Sequence, residues 1–87
     1  MTFSMIRRDR IYRLIALCVK NGVTPSKTSF ADFILTTASA LFTVSHKTSR
    51  GYIDTLIQIW NYDKWKTFVK NNDYLTKEEK EKWMSTH

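Results

Sequence analysis

Residues 39–56 read Ser39-Ala40-Leu41-Phe42-Thr43-Val44-Ser45-His46-Lys47-Thr48-Ser49-Arg50-Gly51-Tyr52-Ile53-Asp54-Thr55-Leu56. An apolar helix end meets a break at Thr43-Val44-Ser45, after which a second helical pattern begins with Lys47 and Arg50 on its exposed side. Ser45 is placed to cap that second helix, its hydroxyl accepting from the free N–H groups of the first turn. Val44 is placed to plug the gap between the two helices. Ser49, Ile53, Leu56 and Trp60 recur at helical spacing, with Tyr52 and Ile57 at their flanks, and give helix 46–60 one buried stripe. Lys47, Gly51, Asp54, Thr55 and Gln58 face away, with Thr48 and Arg50 at the edges and His46 splayed at the first turn.

Working outward, a chain of 87 residues makes one domain with a single small core. Its 43% hydrophobic and 14% aromatic content is that of a folding chain. Two glycines and one proline leave few tight turns, so an all-helical chain is the economical reading. The lone cysteine, Cys18, makes no internal disulfide, and no Cys/His set has zinc-ligand spacing, so packing alone must hold the fold. Cys18 falls on an apolar stripe and reads as a small core residue.

Helix one is expected from residue 4 to about 20, with Ile11, Leu14, Ile15 and Cys18 on one side and Asp9, Arg13, Ala16 and Lys20 on the other. Asn21-Gly22 supplies a left-handed stop. The apolar run at 11–19 is interrupted by Arg13, is too short to span a bilayer and lacks a small-residue cleavage site after it, so it reads as a soluble amphipathic helix of a cytoplasmic protein. Helix two begins near Thr28 or Ser29, where Ser29-Phe30-Ala31-Asp32 resembles a capping box. Phe30, Phe33, Ile34, Thr37 and Leu41 build its stripe, and the small Ala38 and Ala40 let the next helix approach closely. Asp63 is expected to cap a fourth helix carrying Trp65, Phe68 and Val69. Thr76-Lys77-Glu78-Glu79 is a full capping box that opens a fifth helix with Trp83 and Met84 as its apolar residues.

The expected fold is therefore an all-α bundle of about five helices, a trihelical core at 1–60 with a C-terminal helical extension at 61–87. Residues 62–76 admit a rival reading as strand, turn and strand, but Trp65, Phe68 and Val69 are spaced for a helix and do not alternate.

The net charge of +6 is confined to one half. Residues 1–50 carry eight Lys or Arg against Asp9 and Asp32, whereas residues 51–87 carry six of each sign. A one-sided basic field concentrates polyanions and speeds association with them; the plainer reading is a solubility device. Arg7, Arg8 and Arg10 crowd a helix start, where they oppose the helix dipole, which adds weight to a binding role.

At residues 39–56 the sequence resembles the helix-turn-helix consensus of many bacterial and archaeal regulators. The small residue, turn residue, aliphatic and cap slots hold Ser39, Thr43, Val44 and Ser45; the variable pair, Thr, aromatic-aliphatic pair and Leu slots hold His46-Lys47, Thr48, Tyr52-Ile53 and Leu56. Ser39 stands where Ala is usual, and Thr43 where Gly is usual. That turn position often takes positive φ, which a β-branched residue resists. The resemblance implies that helix 46–60 enters the major groove of double-stranded DNA with its N-terminal part. His46, Lys47 and Arg50 would face base edges or phosphates, and Thr48 and Tyr52 would contact the backbone. Arg7, Arg8, Arg10, Arg13 and Lys27 would add sequence-independent affinity. A hairpin at 62–76 would be the wing of a winged helix. Gly51 in a helix interior costs about 1 kcal/mol relative to Ala, which close approach of DNA or of another helix would offset.

The function expected is thus a small non-enzymatic DNA-binding protein in transcription or replication control, nucleoid-associated. The alternative is a helical interaction subunit, forming a homodimer or docking on a larger enzyme through Trp60, Trp65, Trp83 and Met84. No enzyme, cofactor, metal, membrane or small-molecule substrate is expected. Neither His46 nor His87 has a motif partner, and there is no Gly-rich phosphate loop or nucleophile elbow.

Overall fold

A computed structural model describes residues 3–86, with side chains from Met5 onward; His87 lies outside them. The described residues form five helices and no strand: α1 (Phe3–Asn21), α2 (Phe30–Phe42), α3 (His46–Gln58), α4 (Tyr62–Lys70) and α5 (Lys77–Thr86). The all-helical reading therefore holds and the hairpin at 62–76 does not form. Trp65 and Val69 are buried on one face of α4, while Thr67, which a strand would place on that same face, is exposed and Phe68, which a strand would turn away, packs against the core.

α1 is the common spine, packed against every other helix. The α2–α3 pair lies on one flank and the α4–α5 pair on the other. This explains why its buried surface is wider than a one-sided stripe: Ile11, Leu14, Ile15, Ala16 and Cys18 are all buried. Ala16, expected to face solvent, is buried at the base of a shallow pocket that Leu41 and Tyr74 also line. The C-terminal extension, as far as Thr86, packs into the common core. Trp65 and Val69 of α4 and Trp83 of α5 belong to the same core cluster as Leu14 and Phe30. Fully burying side chains of this size stabilises by roughly 1.5–3 kcal/mol each.

The helix ends follow local chemistry. α1 stops in a Schellman arrangement: Gly22 takes φ 66°, its N–H donates to the Val19 carbonyl at 3.3 Å, and Val23 N–H donates to the Cys18 carbonyl at 2.9 Å. The capping box at α5 forms in both directions, Glu79 N–H to Thr76 Oγ1 at 3.1 Å and Thr76 N–H to Glu79 Oε1 at 2.9 Å. Because that carboxylate accepts the Thr76 N–H, the Glu79 carboxyl is held below its ordinary pKa. Two expected caps differ. Ser29 is itself helical, with φ −79° and ψ −3°, and makes no side-chain cap bond. The turn before it, with Phe30 N–H on the Lys27 carbonyl, winds Ser29 into helical geometry. At α4 the cap is Asn61, whose Oδ1 accepts from Asp63 N–H at 2.9 Å, in place of Asp63.

Asn72, fully buried, joins the α4–α5 connection to the spine. Its Nδ2 donates to the Tyr12 carbonyl at 2.8 Å, and its Oδ1 accepts from Tyr74 N–H at 2.9 Å.

Candidate nucleic-acid interface

The α2–α3 pair is joined by a three-residue turn, and its backbone decides how α3 is presented. Thr43 adopts φ 52° and ψ 51°, the sole positive φ of a non-glycine among the described residues. The turn thus takes the left-handed step usually given to glycine. Ser45 follows at φ −70° and ψ 163°, and its Oγ accepts from Thr48 N–H at 3.2 Å. Val44 packs against the core beneath. Where the helices cross, Ala38 and Ser49 are fully buried, and the hydroxyls of Ser39 and Ser49 meet at 3.3 Å. The close crossing uses Ala38, Ser39 and Ser49; Ala40 points outward. Leu41, in line with Phe30 and Ile34 but in the last turn of α2, is 41% exposed.

This geometry leaves His46, Lys47, Thr48 and Arg50 exposed together over the first turns of α3. Thr48 Oγ1 receives a hydrogen bond from the Ser45 hydroxyl at 3.2 Å and keeps its own proton for an outside acceptor. Tyr52 departs from the expectation of a backbone contact. It is buried, with its ring against Phe42 at 6.0 Å and its hydroxyl accepting from Arg10 Nη1 at 3.0 Å. One place C-terminal to Gly51 on a packed helix, its side chain turns inward with Ser49 and Ile53.

The arginines of α1 divide into two groups. Arg7 lies on the polar face of α3: its Nη2 donates to Thr55 Oγ1 at 2.8 Å and to the Gly51 carbonyl at 3.3 Å, and its Cζ stands 5.2 Å from the Tyr52 ring centroid. The neighbour that comes close to Gly51 is therefore Arg7. Arg10 and Arg13 stack on Phe42 at 5.1 and 5.7 Å, and Arg13 also faces the Tyr74 ring at 5.4 Å. Each such contact is worth about 0.5–1 kcal/mol near the surface. Arg8 turns to the other flank, over Tyr12 at 5.6 Å, whose ring meets Phe68 of α4. Lys27 is exposed in the α1–α2 connection, separated from the turn at 43–45 by the length of α2, and is not brought to this surface. None of these cations is paired with a carboxylate among the described residues.

The aromatic residues expected at an interface lie largely inside. Trp65 is fully buried, perpendicular to Trp60 at 5.0 Å, and Trp83 is 5% exposed and stacked on Tyr62 at 5.5 Å. Trp65 is turned to the core by α4 and Trp83 by α5; Trp60 and Met84 remain half-buried at its edge. The indole N–H of Trp65 has no partner among the described residues.

Elsewhere the surface offers little chemistry. A groove of about 350 Å³ runs between the end of α1 and α5, floored by Cys18, Val23 and Trp83 with Lys20 and Lys82 beside it. Burial pushes the Cys18 thiol up to about 12, so it is a neutral core thiol and not a nucleophile at neutral pH. No group of three or more His, Cys, Asp or Glu residues placed to hold a metal ion exists among the described residues, and no helix is long and apolar enough to cross a membrane.

Sequence reasoning missed Phe42 as a platform, the Arg7–Gly51 contact and the Asn72 bridge. The i, i+3, i+6 spacing of Arg7, Arg10 and Arg13 was the available signal for a row of cations along one edge of α1. No family model matches the chain, and no curated protein or solved structure is significantly similar to it.

Proposed function

We propose that this is a small non-enzymatic protein that binds double-stranded DNA through the N-terminal half of α3. It would act in transcription or replication control, as a cytoplasmic, nucleoid-associated protein of the helix-turn-helix class. The observation that carries this reading is the turn itself. A left-handed residue at 43 and a capping Ser45 leave His46, Lys47, Thr48 and Arg50 as one exposed polar group, unpaired with acids among the described residues. In a major groove, Arg50 has the forked geometry to read guanine, Lys47 anchors a phosphate, and the Thr48 hydroxyl donates to the backbone. Tyr52 acts from inside the protein, by positioning Arg10.

Fluorescence anisotropy against a mixed-sequence duplex, across a salt series, tests the reading. Affinity should fall steeply with salt, and Lys47→Ala should reduce the slope by about one unit. Absence of binding at low salt would refute it. The alternative of a docking subunit keeps Trp60 and Met84 at the surface edge and loses Trp65 and Trp83 to the interior.

A further inference from the structure

We propose that Arg7, Arg10 and Arg13 form a preorganised rail for one phosphodiester strand of the duplex, extending the DNA contact from α3 onto α1. This rests on the DNA-binding reading above. The three guanidiniums follow one edge of α1, and the rings of Tyr52 and Phe42 hold them in sequence from the middle of α3 to the end of α2.

Their hydrogen-bonding capacity is mostly unspent. A guanidinium has five N–H donors. Among the described residues, Arg7 uses only Nη2, toward Gly51 and Thr55; Arg10 uses only Nη1, toward Tyr52; and Arg13 donates to nothing. All their protein partners are uncharged, so no internal carboxylate competes with a phosphate. Stacking fixes each fork before binding, which reduces the rotamer entropy lost when a bidentate phosphate contact forms. Arg7 makes the rail continuous with α3, because it already lies on the same face as Lys47 and Gly51. Arg8 is excluded: it sits over Tyr12 on the α4 flank.

Salt-series anisotropy with the full chain separates a rail from a diffuse basic field. Arg13→Ala should weaken binding about five- to tenfold near 0.1 M salt and lower the salt slope by about one unit. Arg13→Lys keeps the charge, so it should weaken binding while retaining the slope. Tyr52→Phe should likewise weaken binding at unchanged slope, because Arg10 loses its anchor and keeps its charge. Arg8→Ala removes one positive charge from the other flank and should leave the slope unchanged. Arg13 bonds to no protein acceptor, and circular dichroism would verify that each variant folds; if Arg13→Ala fails to fold, Arg13→Lys and Tyr52→Phe decide the matter. Equal effects of Arg8→Ala and Arg13→Ala would overturn the rail in favour of net charge. Loss of affinity in Lys47→Ala with none in the Arg13 and Tyr52 variants would overturn the rail and leave the α3 reading standing. If the unaltered protein binds no duplex, both fall.

Discussion

Replacing Thr43 by glycine should stabilise the protein. A non-glycine residue in the left-handed helical region costs roughly 1–2 kcal/mol, because Cβ crowds the following carbonyl. Thr43 bears that cost at φ 52° and ψ 51°, and its β-branch adds to the crowding. The side chain is exposed and makes no hydrogen bond that its removal would forfeit. Against the gain stands the greater freedom of glycine in the unfolded chain, about 0.4–1 kcal/mol. The net expectation is a stabilisation of about 0.5–1 kcal/mol, equivalent to a rise in Tm of about 2–8 °C for a domain of this size. Urea denaturation followed by tryptophan fluorescence measures it, with an unchanged m-value as the sign that only the native turn was altered. Thr43→Asn should fall between the two, since Asn tolerates the left-handed region. The argument fails if Thr43→Gly is neutral or destabilising, because the turn would then not hold residue 43 at positive φ. DNA affinity should be unaffected, as glycine preserves the same turn.

Gly51→Ala should also stabilise, by about 1 kcal/mol of helix propensity. An added Cβ would meet only the Arg7 guanidinium nitrogens, at 3.9 and 4.0 Å, which is ordinary contact; a loss of DNA affinity in this variant would instead place a DNA backbone against residue 51. Asn72→Ala should destabilise by about 1–3 kcal/mol in the same urea assay, since it strands the Tyr74 N–H beneath the α4–α5 connection and removes the bond that ties this connection to the Tyr12 carbonyl; an effect below the error of the assay would refute the bridging role. Spectrophotometric titration should find one tyrosine ionising above the ordinary range, because the Tyr74 hydroxyl donates to Asp9 and its ionised form would face that carboxylate. The folded value being the higher one, this contact stabilises the fold below the ordinary tyrosine pKa, and that contribution is lost as pH rises through the raised value. Asp9→Asn should remove the anomaly.

Much of the architecture was legible in the chain. Two glycines and one proline, the apolar periods of 11–18 and 49–56, the Asn21-Gly22 stop and the Thr76–Glu79 box are local features. They act over one or two turns of backbone, so sequence order alone displays them. The same holds for Ser45 and for the exposed group at 46–50. Leu41, Ala16 and the tryptophans were less legible, because a helical period says that a face is apolar without saying what covers it. α1 is enclosed on two flanks, which buries Ala16, and α4 and α5 close over Trp65 and Trp83.

The sequence by itself determined five helices, where most of them stop, and a polar N-terminal half of α3, since propensity, capping and short-range spacing are properties of neighbours in the chain. The tertiary structure alone decided the rest. It drew Tyr52 inward, set Arg7 on Gly51, aligned Arg10 and Arg13 over Phe42, and made Thr43 accept a left-handed backbone. Each of these joins residues distant in sequence or imposes a local cost that only packing elsewhere can offset. Which side chains meet across helices is encoded by no periodicity within a single helix.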